Sequence, residues 1–292
     1  MYNTGRIIEQ SNEKKSMSEI ELEKKVLEIN NIKTRLKDIK VFALDMDGTI
    51  YLGNKIFPFT KSFLEGLVKA GKDFVFLTNN SSKNASDYFH KLEKMGIEIE
   101  RSQVYTSGDA TIEYLKGKQP GAKIFLMGTK NLEDDFRKAG FNLVDRNPDF
   151  VVLGFDLTFT YNKFEKACNF IRQGVPFIAT HPDYNCPLEN GNMIPDCGAL
   201  SAAITAATGV APKVIGKPNK EMLEGLLSRT KVKKEELCII GDRLITDIMM
   251  GQNFGILNIL VLTGEAKKED LYDSSVTPDF IVEKNIDLLS FL

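Results

Sequence analysis

The chain has 292 residues, 42% of them hydrophobic, enough to bury a sizeable core in one large or two modest domains. Its 38 Lys and Arg against 40 Asp and Glu leave a formal net charge of -2, so no whole-molecule field draws it to nucleic acid or to anionic lipid. Four cysteines without a CxxC pair and 2 histidines argue against a zinc site and against disulfide stapling, and every apolar run is too short to span a bilayer, which makes the cytoplasm the expected location.

Residues 1–39 are polar and dense in Glu and Lys, with Ile20, Leu22, Val26, Ile29, Ile32 and Leu36 at weakly helical spacing. They read as a peripheral helical extension that packs a few apolar residues on the body. From residue 40 onward, Val41 to Asp47, Phe74 to Thr78, Val214 to Gly216, Leu237 to Gly241 and Ile256 to Leu262 read as strands. Between them Phe63 and Leu67, Tyr88 and Leu92, and Met222, Leu223 and Leu226 fall at helical spacings that line one face. A second set of strand-like runs, Ile124 to Met127, Phe150 to Leu153 and Pro176 to Ala179, lies in the middle of the chain. The alternation predicts an α/β protein: a Rossmann-like parallel sheet built from residues 40–108 and 210–292, with an α/β domain inserted over 109–209 on two short hinges that let it move. In such a sheet ligands sit at the carboxyl ends of the strands.

Chemistry-bearing residues fall at those ends. Asp45 and Asp47 directly follow the apolar strand Val41 to Leu44 and precede Gly48. Two carboxylates so placed repel unless a cation or a shared proton holds them, and Mg2+ is the natural cation. Thr78 closes a second strand, Lys217 follows a third in Gly216-Lys217-Pro218, and Asp242 and Asp247 follow a fourth. Taken singly, Thr78, Asp242 and Asp247 also suit helix capping and Lys217 a surface position. Four strand-end motifs in one chain order do not arise independently.

With these motifs in this order, nearly everything after residue 40 resembles the haloacid dehalogenase superfamily. The insert falls between Thr78 and Lys217, as in the subgroup with a type II cap. The phrases LTNN (Leu77 to Asn80), THPD (Thr180 to Asp183), GALSAAI (Gly198 to Ile204), GKP (Gly216 to Pro218) and GDRLITD (Gly241 to Asp247) resemble its NagD-like branch of sugar, nucleotide and p-nitrophenyl phosphatases. The sequence departs from that branch at His181, where asparagine is usual, and at Asp196-Cys197, where glycine and another small residue are usual.

The resemblance implies a Mg2+-dependent phosphoric monoester hydrolase acting on a small phosphorylated metabolite, without a nucleic-acid or membrane partner, as a modest homo-oligomer. Asp45 is then the nucleophile that forms an aspartyl-phosphate. Asp47 is the acid and base, and its carbonyl joins Asp45 and Asp242 in holding the metal. Thr78, the Asn79 amide and Lys217 take the phosphate oxygens, while Asp247 orients Lys217 or a metal-bound water. In the cap, His181, Asp183, Tyr184 and Asn185 are the candidates for contacting the leaving group. A phosphotransferase that passes the phosphoryl group to an alcohol is the alternative enzyme. A non-catalytic phosphate-ligand binder is the other alternative, opposed by intact Asp45, Asp47, Thr78, Lys217 and Asp242.

Overall fold

A computed structural model describes residues 31–188 and 191–292. The first apolar run is β1 (Val41–Leu44), followed by a small hairpin of β2 (Tyr51–Leu52) and β3 (Lys55–Ile56), then β4 (Asp73–Thr78) and β5 (Val104–Thr106). A second group comprises β6 (Lys123–Met127), β7 (Asn142–Leu143), β8 (Phe150–Leu153) and β9 (Phe177–Ala179), the hairpin β10 (Asn185–Pro187) and β11 (Met193–Pro195), and β12 (Lys213–Val214). The chain then returns through β13 (Leu237–Gly241), β14 (Leu257–Val261) and β15 (Phe280–Val282).

Apart from the two hairpins, the strands form two open sheets. The larger has the order β15-β14-β13-β1-β4-β5, and its strands pair in parallel throughout. The smaller runs β12-β9-β8-β6-β7, also parallel. In the larger sheet Leu44 is in register with both Ile240 and Phe76. That register brings the residues after β1, β4 and β13 to one edge, which is where Asp45, Thr78 and Asp242 must meet.

Side chains of β1 alternate between two apolar layers, as the period of a strand demands. Phe42 and Leu44 face one layer with Phe63, Leu67 and Leu92, whereas Val41 and Ala43 face the other with Leu115, Met222 and Leu226. Each such fully buried side chain contributes about 1.5–3 kcal/mol. The second layer does not stop at the larger sheet. It continues into Ile124, Val152 and Ile178 of the smaller one, so both sheets share a buried interior. Phe125, Met127, Val151 and Leu153, on the opposite face of the smaller sheet, pack with Ala167, Ile171 and Ile204.

Several features differ from the sequence expectation. Val214 to Gly216 was expected to be a strand of the larger sheet, but Lys213 and Val214 pair with Ile178 and Ala179 of β9. An apolar run reports burial and not which sheet completes it. The strands β5 and β15 and both hairpins, each two or three residues long, are too short for periodicity to register. Of the N-terminal extension expected over 1–39, residues 1–30 lie outside those described. Residues 31–37 are helical, and Ile32, Leu36 and Ile39 are buried in the first layer. Among the described residues no helix is long and apolar enough to cross a membrane.

Candidate active site

At the shared edge the chain gathers charge. Lys217 is 2% exposed, and its Nζ donates to Asp45 Oδ1 at 2.6 Å, to Asp247 Oδ1 at 2.6 Å and to the Leu77 carbonyl at 3.3 Å. One ammonium thus ties together the ends of β1 and β4 and the segment after β13. Asp45, Asp242 and Asp247 offer oxygens that all lie within 4.8 Å of one another. The Asp242 carboxylate is gripped tightly. Its Oδ2 accepts the Glu265 amide at 2.7 Å, and a Cβ on Gly48 or Gly264 would approach that same atom to 2.3 or 1.9 Å. Gly48 also has φ +87, a backbone conformation that side chains rarely adopt.

Burial drives the Asp45 carboxyl well above the ordinary carboxylate range; Lys217 pulls it back, while Asp247 and Asp242 push it further. Burial, then Asp247, lifts Asp242 to about 7 against the pull of the Glu265 amide and Arg243. For Lys217 burial favours loss of the proton, but Asp247 and Asp45 outweigh it and hold the ammonium above its usual value. Three carboxylates around one ammonium are short of positive charge. Asp242 Oδ1 is buried with no hydrogen-bond partner. An unpaired buried carboxylate oxygen in an all-oxygen donor set is what a hard divalent cation takes, so the residues fit the expected metal.

Asp47 stands at the mouth of this cluster, exposed. Its Oδ1 accepts a long contact from the Gly53 amide at 3.4 Å, and its backbone bridges to Tyr51. Desolvation by the surrounding walls raises its carboxyl, against the pull of Lys91, the Gly53 amide and Arg243. Thr78 closes β4 and Asn79 follows it directly, both buried. The Asn79 side chain is already committed: its Nδ2 donates to Asp183 Oδ2 at 2.8 Å and to the Lys217 carbonyl at 3.0 Å.

The cap candidates separate into three environments. Asp183 reaches the edge of the larger sheet, where it accepts from Asn79 and from Arg243 Nη1 at 3.0 Å. Tyr184 and Asn185 are exposed at the start of the β10–β11 hairpin. On that hairpin burial, then Asp196 and Asp47, push the Cys186 thiol up to about 11. His181 is 1% exposed and faces inward. Its Nε2 lies 2.9 Å from Asp196 Oδ1, and its Nδ1 lies 2.9 Å from Thr180 Oγ1 and 3.5 Å from Ser107 Oγ. The two departures from the branch pattern, at 181 and 196, are therefore one buried pair. Ser107 in turn donates to the Asn79 carbonyl, which links the pair to the end of β4.

Sequence reasoning overlooked Arg243, which bridges Asp183 and Glu265 (2.9 Å), and the Gly264-Glu265 loop that clamps Asp242. A signal was present for both, since Arg243 lies inside GDRLITD and Gly264 closely follows the apolar β14. Cys168, Cys197 and Cys238 are buried, and burial raises their thiols.

Comparison with known proteins gives the chain's family and fold. Residues 42–142 match the family described as haloacid dehalogenase-like hydrolase, and residues 214–288 match the related HAD-hydrolase-like family. The chain is 35% identical over 246 residues to the acid sugar phosphatase of Staphylococcus aureus, covering 84% of this chain and 95% of the relative. Among solved structures, the 4-nitrophenylphosphatase of Thermotoga maritima is 45% identical with a TM-score of 0.85, covering 88% of this chain and 98% of that one. NagD from Escherichia coli K-12 is 33% identical with a TM-score of 0.79, covering 85% and 98%.

Proposed function

We propose, from the premise that the chain belongs to the haloacid dehalogenase-like hydrolases and is a phosphatase of their NagD-like branch, that Asp45 cleaves small phosphate monoesters through an aspartyl-phosphate with Mg2+ as cofactor. The observation that carries the reading is the Lys217 ammonium held 2.6 Å from both Asp45 and Asp247, beside a buried Asp242 oxygen with no partner. When bound, the metal, held by Asp45, Asp242 and the Asp47 carbonyl, supplies the positive charge that offsets repulsion between an anionic nucleophile and an anionic ester.

The chain's own residues divide the remaining work. Lys217 fixes the Asp45 carboxylate in one orientation, so that the attack on phosphorus needs little reorganisation. As the Asp45 oxygen bonds to phosphorus, the bond to the ester oxygen breaks and Asp47 gives that oxygen its proton. Asp47, now a carboxylate, then takes a proton from the water that attacks the phospho-aspartate, releasing phosphate and restoring Asp45. Its raised pKa favours the protonated form that the first step requires. The Thr78 hydroxyl and the Asn79 backbone amide bind the non-bridging oxygens. The Asn79 amide group cannot share that task while it clasps Asp183 and the Lys217 carbonyl.

The second sheet and its helices serve as the cap. Tyr184 and Asn185, exposed at the start of the hairpin and next to Asp183, meet the leaving group, whereas Asp183 ties the cap to Asn79 and Arg243. His181, buried with both ring nitrogens engaged, holds this arrangement from behind and does not touch substrate. The names of the relatives support sugar phosphates as natural substrates and p-nitrophenyl phosphate as a working one, with nucleoside monophosphates a further class to assay. Phosphate release from such a panel, with Mg2+ or with EDTA, tests the proposal. Metal-dependent release is expected; release unaffected by EDTA, or none from any ester, would overturn it.

A further inference from the structure

Asp183 lies between β9 of the smaller sheet and the β10–β11 hairpin, and its backbone is fixed there. Its carbonyl accepts the Gly198 amide at 2.7 Å, and the next carbonyl, of Tyr184, accepts the Asp196 amide at 2.9 Å. The Asp183 carboxylate is almost buried and grips two groups at the edge of the larger sheet. Its Oδ2 accepts Asn79 Nδ2 at 2.8 Å, and the same nitrogen donates to the Lys217 carbonyl. Its Oδ1 accepts Arg243 Nη1 at 3.0 Å.

Arg243 carries the connection further. Its Nε donates to Glu265 Oε2 at 2.9 Å, so one planar guanidinium spans carboxylates from two distant parts of the chain. Glu265 belongs to the loop after β14, and that loop holds the reactive residues at three points. The Glu265 amide donates to Asp242 Oδ2 at 2.7 Å, the Ala266 amide to the Asp242 carbonyl at 3.0 Å, and the Thr263 hydroxyl to the carbonyl of Gly48, next to Asp47, at 2.5 Å. With Oδ2 taken, Oδ1 is the Asp242 oxygen left unpaired. A continuous path therefore runs from Asp183 through Arg243 and Glu265 to the Asp242 carboxylate.

Charge alone would give Arg243 the opposite effect on a cation. The guanidinium favours the anionic form of Asp242, and by the same field it repels a metal ion bound there.

We propose that Arg243 is a positioning residue that couples the seating of the cap to the metal site. Held by Asp183, it fixes the Glu265 loop and with it the Asp242 carboxylate, so Mg2+ binding and cap seating favour one another. The inference rests on the metal-dependent reading above and adds to it a route by which the cap acts on the affinity for the cofactor.

Calorimetric titration of Mg2+ into wild type, Arg243→Gln, Asp183→Asn and the double variant reads this coupling without turnover. Each single variant is expected to bind Mg2+ about tenfold more weakly, and the double variant no more weakly than Arg243→Gln. Because loss of a nearby positive charge would by itself tighten binding, unchanged or tighter binding by Arg243→Gln would overturn the proposal. Additive losses in the double variant would overturn the route through Arg243. Hydrogen exchange on the wild type needs no variant that might fail to fold: Mg2+ should slow exchange in peptides covering β10 and β11, and Asp183→Asn should lose that protection. Equal exchange in Mg2+ and in EDTA would overturn the coupling. If esters are cleaved only with Mg2+ while these effects are missing, the inference falls and the phosphatase reading stands; if the effects are present and no ester is cleaved, the reverse holds.

Discussion

The edge of the larger sheet and the buried interior of the cap hold similar groups and put them to different ends. At the edge, Asp45, Asp242 and Asp247 crowd around Lys217 with an oxygen left unpaired, an arrangement that is short of charge and so able to bind more of it. Inside the cap, His181 and Asp196 satisfy one another, and Thr180, Ser107 and the Cys197 amide take up the remaining capacity. Unsatisfied polarity marks the reactive region, and satisfied polarity marks the one that positions it.

Mutations should separate the two. The largest effect is expected for Asp45→Asn, which removes the nucleophile and should reduce kcat by about four orders of magnitude or more. Because burial and neighbouring carboxylates disfavour the Asp45 anion, the same change should leave the thermal midpoint in EDTA unaltered or higher. A large fall in that midpoint would erase the distinction between the regions. Next is Lys217→Met, which leaves Asp45 and Asp247 facing each other. Turnover should drop by about 10²–10³-fold, and denaturant titration should show a loss of about 3–5 kcal/mol, since this lysine belongs to both chemistry and structure.

The cap layer should answer in the opposite way. His181→Ala and Asp196→Ala each leave a buried partner unmatched, so both should destabilise the fold while turnover at permissive temperature changes less than about tenfold. The double variant should recover about 0.5–3 kcal/mol of the summed loss, measured by a double-mutant cycle. Additive losses would mean that the two side chains are not coupled. The smallest effect is expected for Tyr184→Ala: stability within about 0.5 kcal/mol, and a several-fold rise in KM for bulky esters, which initial-rate assays would resolve.

The same contrast explains what the sequence disclosed. Asp45, Thr78 and Asp242 drew notice as polar residues at the ends of apolar strands, and parallel strands of like register deliver their ends to one place. Lys217 reaches that place from beyond β12 of the smaller sheet, a route the sequence did not show. Apolar runs likewise revealed β4, β13, β6, β8 and β9 to within one residue, whereas β1 ends three residues before the expected Asp47 and the two-residue β7 left no such run. Pairing across sequence distance was not legible. His181 and Asp196 are fifteen positions apart and separated by a hairpin, so nothing in local spacing shows that they touch. The same holds for Arg243 with Asp183, for Gly264 against Asp242, and for β12, whose two residues report nothing about which sheet they complete.

The central claim is that Asp45 becomes transiently phosphorylated, and acid-quenched turnover followed by peptide mass spectrometry addresses it most directly. A phosphate on the peptide containing Asp45, present only with substrate and Mg2+ and absent in Asp45→Asn, is the expected result. Sustained phosphate release by Asp45→Asn, or a phosphate on another residue during wild-type turnover, would contradict it.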